Sequence, residues 1–172
     1  MTGLLALSLS ESLLELGLDP QIKWPNDVLL SGQKVAGILV ESSWTGEALD
    51  ALILGMGVNV LTASVPPDDQ LRFPATSVES ELRHPIERTD LLRNILSRVL
   101  DWRPNLGSDA FIQAWEERLA LRGQQVQVEG SGEGTVTGEL LGLEPDGDLS
   151  LRTAHGKTIT VHFGEVHLRP LA

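Results

Sequence analysis

Apolar residues recur along this chain with changing periods, and each change marks a boundary. The first run is dense and helical: Leu4, Leu5, Leu7, Leu9, Leu13, Leu14 and Leu16, closed by Gly17 as a C-terminal cap with Pro20 beyond it. From Gln21 to Val60 the runs are short and β-type. Ile22 to Trp24 precedes a turn at Pro25-Asn26-Asp27, Val28 to Leu30 precedes Ser31-Gly32, and a longer run extends from Lys34 to Glu41. These predict hairpin-linked antiparallel strands. Leu49 to Val60 predicts another central strand, in which Gly55 and Gly57 remove side chains where something must approach the backbone.

Leu61 to Pro85 is loop-rich, with Pro66-Pro67-Asp68-Asp69 in its middle and Pro74-Ala75-Thr76-Ser77 opening a short helix to Leu82. A connection of this length in a compact domain is usually functional or mobile. Thr89 is the predicted cap of an amphipathic helix with Leu91, Leu92, Ile95, Leu96, Val99, Leu100 and Trp102 facing the core. Ser108 caps a second helix, with Phe111, Ile112, Trp115 and Leu119 inward. After Arg122-Gly123 the period falls to two: Gln125 to Val128, Thr135 to Leu143, Leu149 to Arg152, Thr158 to Phe163 and Val166 to Arg169. Five short strands in this space predict a small antiparallel barrel joined to the first part by almost no linker. An α/β domain usually begins with a strand, so a chain opening in a helix at Met1-Thr2-Gly3 creates the expectation of a segment upstream.

Composition narrows the function classes. The chain has 172 residues and is 41% hydrophobic, enough for one full domain or one domain with a small appendage. It contains no cysteine, which excludes disulfides, thiolate nucleophiles and zinc ribbons, so any chemistry uses oxygen or nitrogen groups. A formal net charge of −11 repels nucleic acid and anionic membrane at long range. No apolar run approaches the roughly 18 residues of a membrane span, and Met1 to Leu9 lacks the basic start of a signal peptide. The expectation is a soluble, cytoplasmic protein.

Lysine usage is the sharpest clue. There are three, Lys23, Lys34 and Lys157, against ten arginines. Lys23 and Lys34 lie in the apolar hairpin region, where they are either solvated strand ends or compact point charges placed against a phosphate. Asn26-Asp27 after Trp24-Pro25 reads as an Asx-type turn or, alternatively, as a carboxylate kept ionised beside a lysine for a ribose or metal-water contact. Gly55-Met56-Gly57-Val58-Asn59 lacks the third glycine and the helix of a dinucleotide fingerprint. It reads either as relief of a crowded sheet or as a strand against which a flat ligand lies, with the Asn59 amide at its end. Trp102 and Trp115 read as core, and Trp24 and Trp44 as candidates for a ligand contact. His84, His155, His162 and His167 lack metal-ligand spacing, and no Gly-x-Ser-x-Gly elbow is present.

Taken jointly, Lys23-Trp24-Pro25-Asn26-Asp27, the strand Lys34-Val35-Ala36-Gly37-Ile38-Leu39-Val40-Glu41 and the strand Leu54-Gly55-Met56-Gly57-Val58-Asn59-Val60 resemble biotin protein ligase. The likeness continues through Pro74-Ala75-Thr76-Ser77, the two helices and a closing Phe163-Gly164-Glu165-Val166-His167-Leu168-Arg169. What the resemblance implies is an α+β fold of the class II aminoacyl-tRNA synthetase and biotin ligase type. Residues 1–121 would form a partial catalytic domain with a mixed or antiparallel sheet and packed helices, and residues 122–172 an SH3-like β-barrel. It implies a two-step reaction: biotin and ATP with Mg²⁺ give biotinyl-5′-AMP, and a lysine of the biotin carboxyl carrier domain of an acyl-CoA carboxylase then takes the biotin.

By the same resemblance Lys34 is the catalytic lysine, Lys23 lies nearer the phosphates, and Asn26 and Asp27 sit beside the nucleotide or its metal. Trp24, Gly37, Leu39, Gly55 and Val58 belong to the biotin and adenylate pocket, with Asn59 on the adenine edge. Residues 62–73 correspond to a loop that orders over the adenylate, and the barrel helps to bind nucleotide or carrier. The family's G-R-G-R-x-G-R loop precedes the helix that opens this chain, which leads to the expectation of a truncated copy or a short gene with little adenylation activity in isolation. A winged-helix DNA-binding domain is outside the resemblance, so no DNA partner is expected, and homodimerisation is compatible with it. The competing readings are a non-catalytic nucleotide- or carrier-binding module and a lipoate-protein ligase.

Overall fold

The computed structural model describes residues 1–67, 71, 73–130, 134–162 and 166–170. The opening leucine run forms α1 (Thr2–Glu15), and its residues from Gly3 to Ser10 are all buried, so this helix is covered on every side. It ends as the sequence predicts. Gly17 takes φ +81° while the Gly17 N–H donates to Leu14 and the Leu18 N–H to Leu13, a Schellman closure that only glycine enters without steric cost.

Four strands follow: β1 (Pro20–Lys23), β2 (Asp27–Leu30), β3 (Gln33–Thr45) and β4 (Ala48–Val58). They pair antiparallel in sequence order. β4, predicted as a central strand, pairs with β3 and, among the described residues, with no other strand. Alternation separates the two faces of the β3–β4 ribbon. Ala36, Ile38 and Val40, opposite Val58, Met56 and Leu54, lie on the face packed into the core. Gly37 and Leu39, opposite Gly57 and Gly55, lie on the other, where Leu39 is 61% exposed.

Three further helices, α2 (Val78–Leu82), α3 (Arg88–Trp102) and α4 (Asp109–Glu117), complete the first part. Ser77 caps α2 by accepting from the Ser80 N–H, and Ser108 caps α4 by accepting from the Phe111 N–H. Thr89 does not cap α3. The cap position is Glu87, two residues earlier, because the Glu87 carbonyl accepts from both Asp90 and Leu91 and closes the first turn there. Nor does α3 bury the whole predicted stripe. Leu91 and Ile95 are buried, while Leu92, Leu96 and Leu100 are 54, 53 and 66% exposed. α1 is the main element packed on α3, and one helix covers a narrower arc than seven apolar positions span.

The last part forms a five-stranded antiparallel sheet of β5 (Gln125–Gly130), β6 (Gly134–Leu143), β7 (Leu149–Arg152), β8 (Thr158–Val161) and β9 (Val166–Pro170), in the order β8-β7-β6-β5-β9. Its buried Val126, Val128, Leu140, Leu149 and Leu151 join the same apolar cluster as α1 and β1–β3. Two polar contacts fasten it there. The Trp24 indole N–H donates to the Gly147 carbonyl at 3.1 Å, and Arg122 pairs with Glu116 of α4 at 2.8 Å.

Candidate functional site

The site is assembled by the turn between β1 and β2 and by the start of β3. Asn26 is bound to β3 in both directions: its side-chain amide donates to the Ile38 carbonyl at 3.0 Å, and the Ile38 N–H donates to the Asn26 carbonyl at 2.8 Å. That stitching sets Asp27 directly opposite Gly37 in the register. Gly37 has no side chain, and the space above it is taken by Lys34, whose Nζ lies 2.5 Å from Asp27 Oδ1. The Lys34 backbone is itself clamped, its N–H donating to Pro74 and its carbonyl accepting from Thr76. Lys34 is therefore held at both ends, by its main chain and by its charge.

Two cavities meet at this lysine. One, of about 430 Å³, is lined by Lys23, Asp27, Lys34, Phe73 and Arg169 among others. The second, of about 470 Å³, has Gly37, Gly57, Val58 and Asn59 on its wall and shares Lys34 and Phe73 with the first. Among its described lining residues the first cavity is cationic: three positive side chains face one carboxylate, within a chain whose net charge is −11. Lys23 lies 4.6 Å from the centroid of the Phe73 ring and the Arg169 guanidinium 5.6 Å from it, so the aromatic face offsets part of their repulsion. Burial pushes the Lys23 ammonium below the ordinary lysine value; Asp27 opposes the shift, and Lys34 and Arg169 add to it. An anion entering this cavity would relieve both the desolvation and the like-charge strain.

The second cavity has bare strand on its wall. Gly37, Gly55 and Gly57 lie on one face of the ribbon, and none has a left-handed φ, so their lack of a side chain serves space rather than backbone conformation. A methyl group built at Gly57 would meet nothing within 4 Å, and one at Gly55 would make ordinary contact with Leu39. A planar group can thus lie on bare backbone with its anionic end at Lys34.

Of the predicted residues, Lys23, Asp27, Lys34, Gly37, Val58 and Asn59 line these cavities. Leu39 and Gly55 share the glycine face farther along the ribbon. Trp24 does not reach either cavity wall: it is 1% exposed in the core, its indole directed to Gly147. Asn26 acts on the site through the turn it stitches. Trp44 stands at the far end of β3, exposed, its N–H donating to Ser42. The Asn59 amide donates to the Thr76 carbonyl at 3.1 Å, which orients the side chain at the cavity wall. The sequence reading did not single out Phe73 or Arg169 as site residues and named Gly57 only as part of its strand. Gly57 was legible in its Gly-x-Gly-x-Asn motif, whereas Phe73 and Arg169 come from remote segments that only folding brings to Lys23. Of the predicted loop, residues 68–70 and 72 lie outside the described residues, as does the Phe163-Gly164-Glu165 part of the closing motif. Among the described residues there is no group of three or more metal-ligating side chains. Among the same residues, no helix is long and apolar enough to cross a membrane.

Residues 9–59 match the model of the biotin/lipoate A/B protein ligase family, and residues 122–169 that of the biotin protein ligase C-terminal domain. The chain is 34% identical to a biotin–[acetyl-CoA-carboxylase] ligase of Paracoccus denitrificans over 145 residues, 80% of this chain and 59% of the relative. It is 35% identical to the ligase of the same name from Mycobacterium tuberculosis, over 86% of this chain and 53% of that one. The chain thus spans about half the length of the curated relatives it matches. Among solved structures, biotin protein ligase from Aquifex aeolicus in its apo form superimposes with a TM-score of 0.83 at 30% identity, covering 98% of this chain and 74% of that one. The same enzyme in complex with biotin and ATP superimposes with a TM-score of 0.82 at 28% identity. With its two matched segments in this order, its fold shared over almost its whole length and its lysine-centred cavities, the chain belongs to the biotin protein ligase family.

Proposed function

We infer that this chain binds biotin and ATP at the paired cavities and takes part in forming biotinyl-5′-AMP, from which biotin passes to a lysine of a carboxylase's biotin carboxyl carrier domain. The observation that carries this reading is Lys34 at the junction of a cationic cavity and a glycine-floored one. Biotin's carboxylate and the α-phosphate of ATP repel each other, and a fixed ammonium between them lowers that repulsion most as the new bond forms. In the first step a carboxylate oxygen bonds to the α-phosphorus while the bond to the β-phosphate's bridging oxygen breaks and pyrophosphate leaves. In the second, the carrier lysine's neutral amine attacks the acyl carbon; AMP departs, an amide forms and one proton is released. Lys23 and Arg169 would hold the leaving phosphates, the bare strand at Gly57 the flat part of the adenylate, and Asn59 its edge. Aquifex aeolicus biotin protein ligase has been solved with biotin and ATP, and its shared fold supports the assignment. The match of residues 122–169 to the biotin protein ligase C-terminal domain favours biotin over lipoate as the acyl group.

For Mg²⁺ the residues present offer little. Asp27 is the one carboxylate among the described lining residues of the two cavities, and it is engaged by Lys34. Such an ion is ordinarily carried by substrate phosphates with one or two carboxylates, and no step is routed through it here.

Calorimetry with a hydrolysis-resistant biotinyl-5′-AMP analogue tests the reading. The chain is expected to bind it, to bind the lipoyl counterpart more weakly, and to lose about a hundredfold in affinity on Lys34→Met. Absence of binding, or equal binding by the Lys34→Met variant, would overturn it.

A further inference from the structure

The segment Phe73-Pro74-Ala75 is shared between the two cavities: Pro74 lines the first, Ala75 the second, and Phe73 both. The next residue, Thr76, is buried, and it is where polar groups of both cavities are tied. Its N–H donates to the Lys34 carbonyl at 3.0 Å, and its carbonyl accepts from the Asn59 side-chain amide at 3.1 Å. Lys34 stands where the cavities meet, and Asn59 on the wall of the second. Whatever orients Thr76 therefore sets both groups at once.

Thr76 is oriented through its own side chain. Its hydroxyl donates to Glu81 Oε1 at 2.8 Å, while Glu81 Oε2 accepts from the Ser31 hydroxyl at 2.8 Å. Both bonds are charge-assisted, which makes them stronger than bonds between neutral groups. Ser31 and Gly32 form the two-residue turn between β2 and β3, with left-handed φ of +50° and +74°. Glycine enters that region freely and serine does not, so the hairpin alone gives no reason for a serine there. Its hydroxyl serves Glu81. The carboxylate in turn projects from α2, whose first turn is seated on the end of β4: the Val78 N–H donates to the Asn59 carbonyl and the Glu79 N–H to the Val60 carbonyl.

Glu81 thus bridges the β2–β3 turn and the strip shared by the cavities, although it lines neither of them. We propose, on the ligase reading above, that Glu81 is a positioning residue of the site, fixing Lys34 and Asn59 through Thr76 in the arrangement that receives the adenylate. Without the carboxylate, Thr76 keeps its main-chain bonds but loses the side-chain anchor, and the strip is free to shift against the start of β3.

The test compares Glu81→Ala, Glu81→Gln and Ser31→Gly in the full chain. Amide hydrogen exchange at Lys34 and Thr76 and the NMR signal of the Asn59 side-chain amide are read without ligand. Affinity for the biotinyl-5′-AMP analogue is read by calorimetry. Glu81→Ala is expected to speed exchange at Lys34 and Thr76 about tenfold, with Leu9 and Leu13 of α1 unchanged, to move the Asn59 signal, and to weaken the analogue about tenfold. Glutamine can accept from one hydroxyl and donate to the other, so Glu81→Gln is expected to restore affinity to within about threefold of the original. Ser31→Gly separates positioning from stability. Relief of the left-handed φ offsets the greater freedom of glycine in the unfolded chain, so Tm is expected to stay within about 3 °C. The freed carboxylate still weakens the analogue about threefold. This variant decides the matter should Glu81→Ala unfold. Unchanged exchange and an unmoved Asn59 signal in Glu81→Ala, full affinity in both Glu81→Ala and Ser31→Gly, or a Glu81→Gln variant as weak as Glu81→Ala would each overturn the proposal. Should the unaltered chain not bind the analogue, the ligase reading falls, and exchange with the Asn59 signal decides the role of Glu81 by itself.

Discussion

Replacing Gly37, Gly55 and Gly57 one at a time by alanine is expected to move stability and ligand affinity in opposite directions. The three share one face of the β3–β4 ribbon, and none occupies the left-handed backbone region. An added methyl therefore costs no backbone strain, and the reduced freedom of the unfolded chain favours the variant by about 0.4–1 kcal/mol. For a chain of this size that is a rise in Tm of roughly 1–4 °C. Gly57→Ala meets nothing within 4 Å, and Gly55→Ala meets the Leu39 carbonyl at 3.5 Å, so both are expected to show the full gain. Gly37→Ala is tighter: its methyl would lie 3.1 Å from Lys34 Nζ and 3.2 Å from Lys34 Cε. The far end of a flexible side chain yields by a few tenths of an ångström, so part of the gain is lost and Lys34 is pushed from its place above the strand. The Gly57 methyl stands on the open cavity wall where a flat ligand would rest, the Gly37 methyl acts by moving Lys34, and the Gly55 methyl lies farther along the same face; an ångström of displacement costs on the order of a hundredfold in a site of this kind. The expected loss of affinity for the biotinyl-5′-AMP analogue is about ten- to a hundredfold, or ~1.4 to 2.7 kcal/mol. Calorimetric titration beside a thermal melt measures both quantities on one sample. Unchanged affinity in all three variants, with the stability gain present, would refute the reasoning that the bare strand is a ligand floor.

Gly138→Ala is expected to do the opposite to stability: its methyl would lie 2.8 Å from the Arg152 backbone oxygen, which cannot swing aside, at a cost of about 1–3 kcal/mol readable by urea unfolding. Inorganic triphosphate binding is expected to take up protons at alkaline pH below 10.5, because Lys23, held low by burial and by Lys34 and Arg169, regains its charge when an anion arrives. Calorimetry in buffers of different ionisation heat measures that uptake. It is expected to vanish in Lys23→Met and, by relief of repulsion, to shrink in Arg169→Gln. The same depression means that the unfolded chain binds this proton more readily, so Lys23's contribution to stability rises with pH from its lowered value to 10.5 and is flat outside that window.

Much of the local structure was legible because it depends on near neighbours in the chain. A dense leucine run ending in Gly17, a serine three residues before the Phe111 N–H, and period-two runs after Arg122 each carry their own instruction, and α1, α4 and β5–β9 follow it. The Lys34–Asp27 pair was half legible: the residues stand seven apart in a hairpin, and the register that makes Gly37 the floor beneath them needs only the turn at Asn26.

Contacts between remote segments were decided by the tertiary structure. Trp24 looks like a ligand contact beside Pro25-Asn26-Asp27, yet it is buried because the C-terminal sheet supplies Gly147, 123 residues away, as its hydrogen-bond partner. Leu92, Leu96 and Leu100 look like core by their spacing, but helix periodicity states only which face is apolar, and α1 covers part of it. Phe73 and Arg169 join Lys23 in one cavity because the segment before α2 and strand β9 both fold onto the first sheet, and no spacing in the sequence encodes that meeting. By itself the sequence determined the elements, the lysine and the glycines, since short-range sterics and periodicity suffice for those. Which groups share a cavity depends on long-range packing, where burial and charge are settled by partners from distant parts of the chain.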